Sequence, residues 1–125
     1  VHHRLMGLFG VGGFIAAQVV ADIKNTPGNP LEHAPDWWVW CAPGPGSLQG
    51  LSRVAGLAPV RSGWALHMWP HALRALRQRL GAALQRHGLP PICAQDVQNC
   101  LCEYDKYLRI QGAEAGRKRR YTPTA

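Results

Sequence analysis

The stretch LFGVGGFIAAQVVADI, Leu8–Ile23, places a glycine-rich turn directly before a long apolar run. The three glycines of GVGG stop a preceding helix and permit positive backbone φ angles. Apolar residues then recur at the four-residue spacing of one helix face: Ile15, Val19 and Ile23. The segment therefore predicts two helices joined by a tight turn, the first ending near Gly7 and the second covering Phe14–Ile23.

The same turn fits the apolar-x-Gly-apolar-Gly-x-x-x-Ala pattern of a helix-hairpin-helix element, with Gly10, Gly12 and Ala16 at its small positions. Glycines let the backbone approach a DNA phosphate, and the N-terminus of the second helix directs unpaired N–H groups and a favourable dipole towards it. Such a contact positions DNA without reading its sequence. The alternative is a glycine turn made only for close helix packing. The DNA-binding candidates here are Gly10, Val11, Gly12, Gly13 and Lys24.

The charge distribution favours a polyanionic partner. The net charge is +7, and no acidic residue stands between Asp36 and Asp96, a stretch with six arginines. Clustered cations attract nucleic-acid phosphates and release counterions when they bind. The alternative is a solvated, solubilising surface. Four further cations near the C-terminus are also DNA-binding candidates: Arg117, Lys118, Arg119 and Arg120.

The remaining pattern predicts an all-α fold around the helix-hairpin-helix element. Ser47 is a good N-cap for a short helix through Ala55, and longer helices are predicted over Pro70–His87 and Cys93–Gln111. The five tryptophans are expected in the core. Residues 1–111 form the predicted helical domain, and residues 112–125 form a basic C-terminal tail.

The hairpin's first helix begins almost at residue 1. The helical domain is therefore either incomplete at its N-terminus or covered there by a protein partner or a second copy of the chain.

Membrane, metal and cofactor functions find no support in the sequence. No apolar run reaches the ~18 residues that span a bilayer, and no secretory cleavage pattern follows the N-terminus. The four cysteines lack the C-x2-C pairs of zinc sites and the full ligand set of an iron–sulfur cluster. Their even count leaves disulfides open, although nothing else indicates secretion. We expect a cytoplasmic protein without metal, cofactor or membrane contact.

Asp36 opens the segment DWWVWCAPGPGSLQGL, Asp36–Leu51, and is the first catalytic candidate. A carboxylate beside aromatic rings and a Gly/Pro turn is expected to be partly desolvated, which makes it a stronger base. In helix-hairpin-helix DNA glycosylases a catalytic aspartate follows the hairpin, and Asp36 stands 24 residues after Gly12. The alternative is an aspartate that caps a helix or lies in a loop.

A second group of catalytic candidates lies in NCLCEYDKYLR, Asn99–Arg109. On a helix, four polar residues would share the face opposite the apolar stripe: Asp96, Asn99, Glu103 and Lys106. This face is either the polar wall of an active site, with Glu103 and Lys106 as catalytic residues, or a solvated surface with an ordinary ion pair. Spacing alone favours the solvated surface.

Taken together, these segments resemble the alpha-glutamyl/putrescinyl thymine pyrophosphorylase family of phage DNA-hypermodification enzymes. That family also resembles the helical domain associated with 5-hydroxymethyluracil DNA kinases, and its fold is related to helix-hairpin-helix DNA glycosylases. The resemblance covers most of the chain, although members usually have more helices before the hairpin. Four segments carry it, in this order: GVGGFIAAQVVADIK, DWWVWCAPGPGSLQGL, NCLCEYDKYLRIQG and GRKRRY.

The resemblance implies a reaction on DNA in a bacterial or phage-infected cell. The pathway's kinase places pyrophosphate on the hydroxymethyl group of 5-hydroxymethyluracil, and the family enzyme replaces it with an amine or amino acid. The base must leave the stack, the departing pyrophosphate needs cations, and the amine needs a base. The implied roles are cation stabilisation or amine deprotonation for Asp36, alternate base for Glu103, and phosphate or pyrophosphate binding for Lys106, Arg109 and the tail.

Two other functions stay open. The first is a non-catalytic DNA-binding helical module that accompanies a 5-hydroxymethyluracil DNA kinase. The second is a base-excising glycosylase, which ranks last because its usual lysine nucleophile or acid pair is not evident. The sequence does not identify the amine donor of the transferase reaction.

Overall fold

The computed structural model describes residues 1–57 and 61–112. These residues contain helices and no strand, which confirms the all-α expectation. Within the described ranges, no helix combines the length and the apolar character needed to cross a bilayer. The helices are α1 (His2–Met6), α2 (Gly13–Lys24), α3 (Pro45–Val54), α4 (Ser62–Arg86) and α5 (Ala94–Gln111).

The main core lies between α3, α4 and α5, which pack against one another. Its side chains are mostly small or medium-sized, so the three helices approach closely. Trp69 is the one large ring in this cluster, and its Nε1–H donates to the carbonyl oxygen of Cys41 at 3.0 Å. The buried cluster comprises Cys41, Leu51, Ala65, Trp69, Leu73, Ala94, Val97 and Leu101.

The closest approach in the fold is between α3 and α5. A Cβ atom built on Gly50 would lie 2.1 Å from the carbonyl oxygen of Leu101, so only glycine fits there. One turn earlier, a Cβ on Gly46 would lie 3.1 Å from the Sγ of Cys102. Ser47 between them is fully buried. The two helices therefore meet through backbone and very small side chains.

The start of α3 differs from the predicted Ser47 N-cap. The helix begins at Pro45 with Gly44 as N-cap, and Ser47 occupies the third helical position. The Ser47 hydroxyl accepts the Gly44 N–H and donates to the Gly44 carbonyl, both at 2.9 Å. The serine therefore caps the helix from inside its first turn, while proline takes the first position, where its missing N–H costs nothing.

Helix α4 begins at Ser62, eight residues before the predicted start, so Pro70 lies inside it. Proline removes the hydrogen bond to the carbonyl of residue i−4, which here belongs to Leu66, an exposed residue. Water can hydrate that carbonyl. Ala65 and Trp69, which are both buried in the core, hold the first two turns of α4 in place. This packing outweighs the preference of proline for the first turn of a helix.

The buried face of α2 is not the predicted one. Ile15 and Val19 are 48% and 36% exposed, and the buried positions are Ala16, Val20 and Ala21. Helix α2 packs on α1, and its buried residues are this smaller set. The expectation of core tryptophans is also wrong in most cases, because Trp69 alone of the five is buried.

The segment between α2 and α3 connects the N-terminal helix pair to the main core. At its start, the Lys24 ammonium donates to the carbonyl of Trp37 at 2.7 Å. At its middle, the carbonyl of Trp38 accepts the N–H of Ala94, the first residue of α5, at 3.0 Å. These two contacts join the end of α2 to the beginning of α5.

The Gly50 contact yields a stability prediction. Gly50→Ala should lower the free energy of unfolding by about 2–3 kcal/mol, because the added methyl group forces α3 away from α5. Gly81→Ala is the matched control. That helical glycine has no atom within 4 Å of an added Cβ, so alanine should raise the free energy of unfolding by about 0.5–1 kcal/mol. Urea unfolding monitored by circular dichroism measures both, and equal effects would contradict the close contact.

Candidate nucleic-acid interface

The glycine turn between α1 and α2 has a defined backbone. Gly10 adopts a positive φ of 77°, and the N–H of Val11 bonds to the Leu8 carbonyl at 3.1 Å. Gly12 is the extended N-cap of α2, with no side-chain cap and no acidic residue in the first turn. The first N–H groups of α2, at residues 13–15, have no hydrogen-bond partner among the described residues. The turn therefore presents a cluster of unpaired donors at the positive end of a helix dipole.

Among residues 1–57 and 61–112, close packing does not explain the glycines of this turn. A Cβ built on Gly10 or Gly12 would have no atom within 4 Å, and one on Gly13 would meet only the Met6 sulfur, at 3.8 Å. Gly10 is favoured by its positive φ. Gly12 has an ordinary φ of −80°, so within the described residues neither conformation nor packing requires a glycine there.

Apolar side chains surround the turn and point to solvent. Phe9 is completely exposed at the apex, and Leu8, Phe14 and Ile15 are each about half exposed. Sequence reasoning missed Phe9 because the hairpin pattern allows any residue at its position. An exposed aromatic ring beside phosphate-binding amides is suited to stack on a nucleic-acid base.

Lys24, the predicted DNA-binding cation, lies at the opposite end of α2 from the turn. The eleven-residue separation from Gly13 corresponds to about 16 Å along the axis. Its Nζ donates to the Trp37 carbonyl and lies 4.7 Å from the centre of the Trp37 ring. Lys24 is thus engaged in a cation–π contact that holds the following loop, and the structure does not bring it to the glycine turn.

Asp36 borders a cavity of about 260 Å³, together with Lys24, Trp37 and Trp40. The residue is exposed, so the expected desolvation of its carboxylate is not found. The backbone carbonyl of Asp36 accepts the N–H groups of Val39 and Trp40, at 3.1 and 3.0 Å. These bonds close a turn, and Trp37 and Trp40 of this turn line the same cavity as Asp36. The site is an aromatic recess lined by tryptophan and histidine residues, with Asp36 and Lys24 among its lining residues.

Glu103 and Lys106 form an exposed ion pair on α5, with the Nζ and Oε1 atoms 2.6 Å apart. Their side chains are 69% and 57% exposed, which is the solvated arrangement that the spacing favoured. The hydrogen bond to Glu103 raises the pKa of the Lys106 ammonium, so this lysine stays protonated at neutral pH. Neither residue lines the cavity that Asp36 borders.

Sequence reasoning also missed Asp105, which is fully buried between two arginines. Its Oδ1 lies 2.7 Å from the Nε of Arg53 on α3, and its Oδ2 lies 3.0 Å from the Nε of Arg109 on α5. One signal was available in the sequence. Asp105 follows Val97 and Leu101 at four-residue steps, so it falls on the apolar face of α5, where a carboxylate needs a buried cation.

The buried thiols are not suited to nucleophilic chemistry. Burial raises the pKa of Cys41 to about 12 and also raises those of Cys93 and Cys102, which suppresses the reactive thiolate. Within the part of the chain that the structure describes, no three His, Cys, Asp or Glu side chains are grouped to hold a metal ion.

Residues 1–117 match the family model described as "5-hmdU DNA kinase, helical domain". The chain belongs to this family of helical domains. The match confirms the resemblance to the helical domain of a 5-hydroxymethyluracil DNA kinase. It does not show membership of the pyrophosphorylase family. No curated protein and no solved structure matches the chain.

The predicted tail follows α5 in the sequence. Helix α5 ends at Gln111 with Gly112 as C-cap, and Arg117, Lys118, Arg119 and Arg120 lie outside the described residues. The division into a domain over 1–111 and a tail over 112–125 stays a prediction.

We expect removal of the buried Asp105 charge to lower the free energy of unfolding more than removal of the exposed Glu103 charge. Asp105→Asn removes the charge that compensates Arg53, whose side chain is only 15% exposed, so the free energy of unfolding should fall by about 2–4 kcal/mol. Glu103→Gln removes an exposed partner and should cost less than about 0.5 kcal/mol. Urea titrations of both variants measure the difference. A small loss for Asp105→Asn would mean that the arginine network does not stabilise the α3–α5 contact.

Proposed function

We propose that this helical domain binds DNA for a 5-hydroxymethyluracil DNA kinase by holding a backbone phosphate at the turn Gly10–Gly13. One observation carries the proposal: Gly12 and Gly13 leave open space around unpaired N–H groups at the start of α2. A phosphate oxygen can approach such amides closely because no Cβ stands in the way, and the helix dipole favours its charge. The family's own description as part of a DNA kinase supports the choice of ligand.

Charge and surface chemistry also support DNA as the ligand. The net charge of +7 favours a polyanion over a neutral or basic partner. Phe9, exposed at the apex of the turn, would reach a base or sugar while the amides hold the adjoining phosphate. In this proposal the tail cations Arg117, Lys118, Arg119 and Arg120 add contacts that depend on charge and not on sequence.

The arrangement of the catalytic candidates favours a binding module over a complete enzyme. Asp36 borders the aromatic recess, whereas Glu103 and Lys106 form an exposed pair outside it. General acid–base catalysis needs its groups within hydrogen-bond reach of one substrate. The kinase would then supply the chemistry, and this domain would hold the DNA in position.

The glycine turn gives a direct test of DNA binding. The double variant Gly12→Ala/Gly13→Ala should keep its fold, because an added Cβ meets at most the Met6 sulfur. Its affinity for a duplex containing 5-hydroxymethyluracil should fall about tenfold, since the methyl groups hold the phosphate away from charge-assisted amide bonds. Fluorescence anisotropy at fixed salt measures the affinity.

Gly63→Ala is the control for this experiment, because it adds the same methyl group at an open position on α4. Its affinity should equal that of the unchanged protein. If the double variant also binds normally, the glycine turn is not the phosphate site.

A second candidate function is the transferase reaction, in which an amine replaces the pyrophosphate on 5-(pyrophosphoryloxymethyl)uracil in DNA. The aromatic recess favours it, because Trp37 and Trp40 could receive a displaced base beside the Asp36 carboxylate. The amine nitrogen would form a bond to the methylene carbon as the C–O bond to pyrophosphate breaks. Asp36 would stabilise the electron-poor carbon or take the amine proton, with Glu103 as the alternate base, and Lys106 and Arg109 would hold the leaving pyrophosphate.

Product analysis separates the two functions. The protein is incubated with pyrophosphorylated DNA and an amine such as putrescine, and the digested nucleosides are weighed by mass spectrometry. A transferase gives an amino-modified thymidine, and Asp36→Asn should reduce its formation at least a hundredfold if Asp36 has the proposed role. Unchanged nucleosides together with tight DNA binding identify the binding module. Full transfer by Asp36→Asn would exclude this aspartate from the reaction.

A further inference from the structure

Helix α4 carries a dense positive charge without any carboxylate. Its 25 residues include no Asp or Glu, and the helix is about 37 Å long. An exposed helix of this length usually mixes charges of both signs, because i,i+4 pairs of opposite sign stabilise it. Four arginines contribute the charge: Arg74, Arg77, Arg79 and Arg86.

The charge is concentrated on the side of α4 that faces solvent. Ala65, Trp69 and Leu73 bury one face against α3 and α5. The opposite face shows a row of exposed polar residues at helical spacing, interrupted at Gly81 and Ala82: His67, His71, Arg74, Gln78 and Gln85. Arg79 and Arg86, seven residues apart and both exposed, form a second line about 100° around the helix from this row. We call these seven residues the α4 basic face.

The carboxylates of the neighbouring helix α5 do not neutralise this face. Asp96 caps α5 by accepting the N–H of Cys93, Asp105 pairs with two other arginines, and Glu103 pairs with Lys106. Within the described residues, none of the α4 arginines takes part in an ion pair. Arg77 is only partly exposed and its Nε is buried, so the accessible charge of α4 is that of Arg74, Arg79 and Arg86. The positive charge of α4 is thus available to an external anion.

We infer that the α4 basic face is a second DNA-binding surface, along which the phosphate backbone of a duplex lies. The inference rests on the proposed function but concerns a helix that the glycine turn does not include. Arg74 and Arg86 are about 18 Å apart along the axis of α4, a length over which one strand has about five phosphates when measured along the duplex axis. The exposed side chains of this face are those that bind phosphates and base edges in DNA complexes, namely arginine, histidine and glutamine.

Salt titration of DNA binding tests the inference. The triple variant Arg74→Gln/Arg79→Gln/Arg86→Gln removes three exposed charges and should leave the fold intact. The slope of log K against log salt concentration should become shallower by about 0.9 for each arginine that contacts a phosphate. The matched control is Arg74→Lys/Arg79→Lys/Arg86→Lys, which keeps the charge and should keep the slope. Circular dichroism confirms that both variants fold.

The outcomes separate this inference from the proposed function. If the glutamine variant keeps the slope of the unchanged protein while Gly12→Ala/Gly13→Ala binds more weakly, the α4 inference is overturned and the glycine turn stands. If the lysine variant loses as much of the slope as the glutamine variant, the contact does not depend on charge, and the α4 inference again fails. If the unchanged protein does not bind DNA even in dilute salt, both proposals fail, and an acidic protein surface becomes the ligand to test on α4.

Discussion

The contact between the backbones of α3 and α5 determines the rest of the main core. The absence of a side chain at Gly50 lets the Leu101 carbonyl reach a distance that any Cβ would prevent. At this separation Arg53 on α3 can reach the carboxylate of Asp105 on α5, so a buried charge is compensated across the same interface. A wider separation would remove Arg53 from Asp105 and leave Asp105 paired with Arg109 on α5, and the loss of one partner of a buried ion pair is strongly destabilising. Close backbone packing and the buried ion pair therefore both stabilise the contact between α3 and α5.

The N-terminal helix pair is connected to this core mainly through a loop and not through a broad helix interface. Lys24 fixes the loop by binding the carbonyl and the ring of Trp37, and the carbonyl of Trp38 accepts the N–H of Ala94. The glycine turn lies at the other end of α2, away from these anchors. Its amides are consequently free of internal partners, which is the property that an anion-binding turn requires.

Binding and catalytic candidates occupy different parts of the molecule. The open amides belong to the glycine turn, the positive surface belongs to α4, and the carboxylate with aromatic neighbours belongs to the loop at Asp36. A polyanion as long as a DNA duplex can contact several such surfaces together, whereas a small substrate can contact only one. This separation is why the arrangement supports a DNA-positioning role more strongly than a self-contained active site.

The sequence by itself determined the helical fold, the glycine turn and the charge excess, because each is encoded locally: GVGG interrupts a helix wherever it stands, and the run without acidic residues from 37 to 95 is visible in the letters. Tertiary structure decided the rest. Pro70 lies inside a helix because Trp69 and Ala65 are held by the core. Ile15 is half exposed because the fold buries another side of α2, at Ala16, Val20 and Ala21. Asp105 can be buried because Arg53, which is distant in the sequence, forms an ion pair with it. The spacing of residues along the chain does not indicate which residues of two helices are in contact.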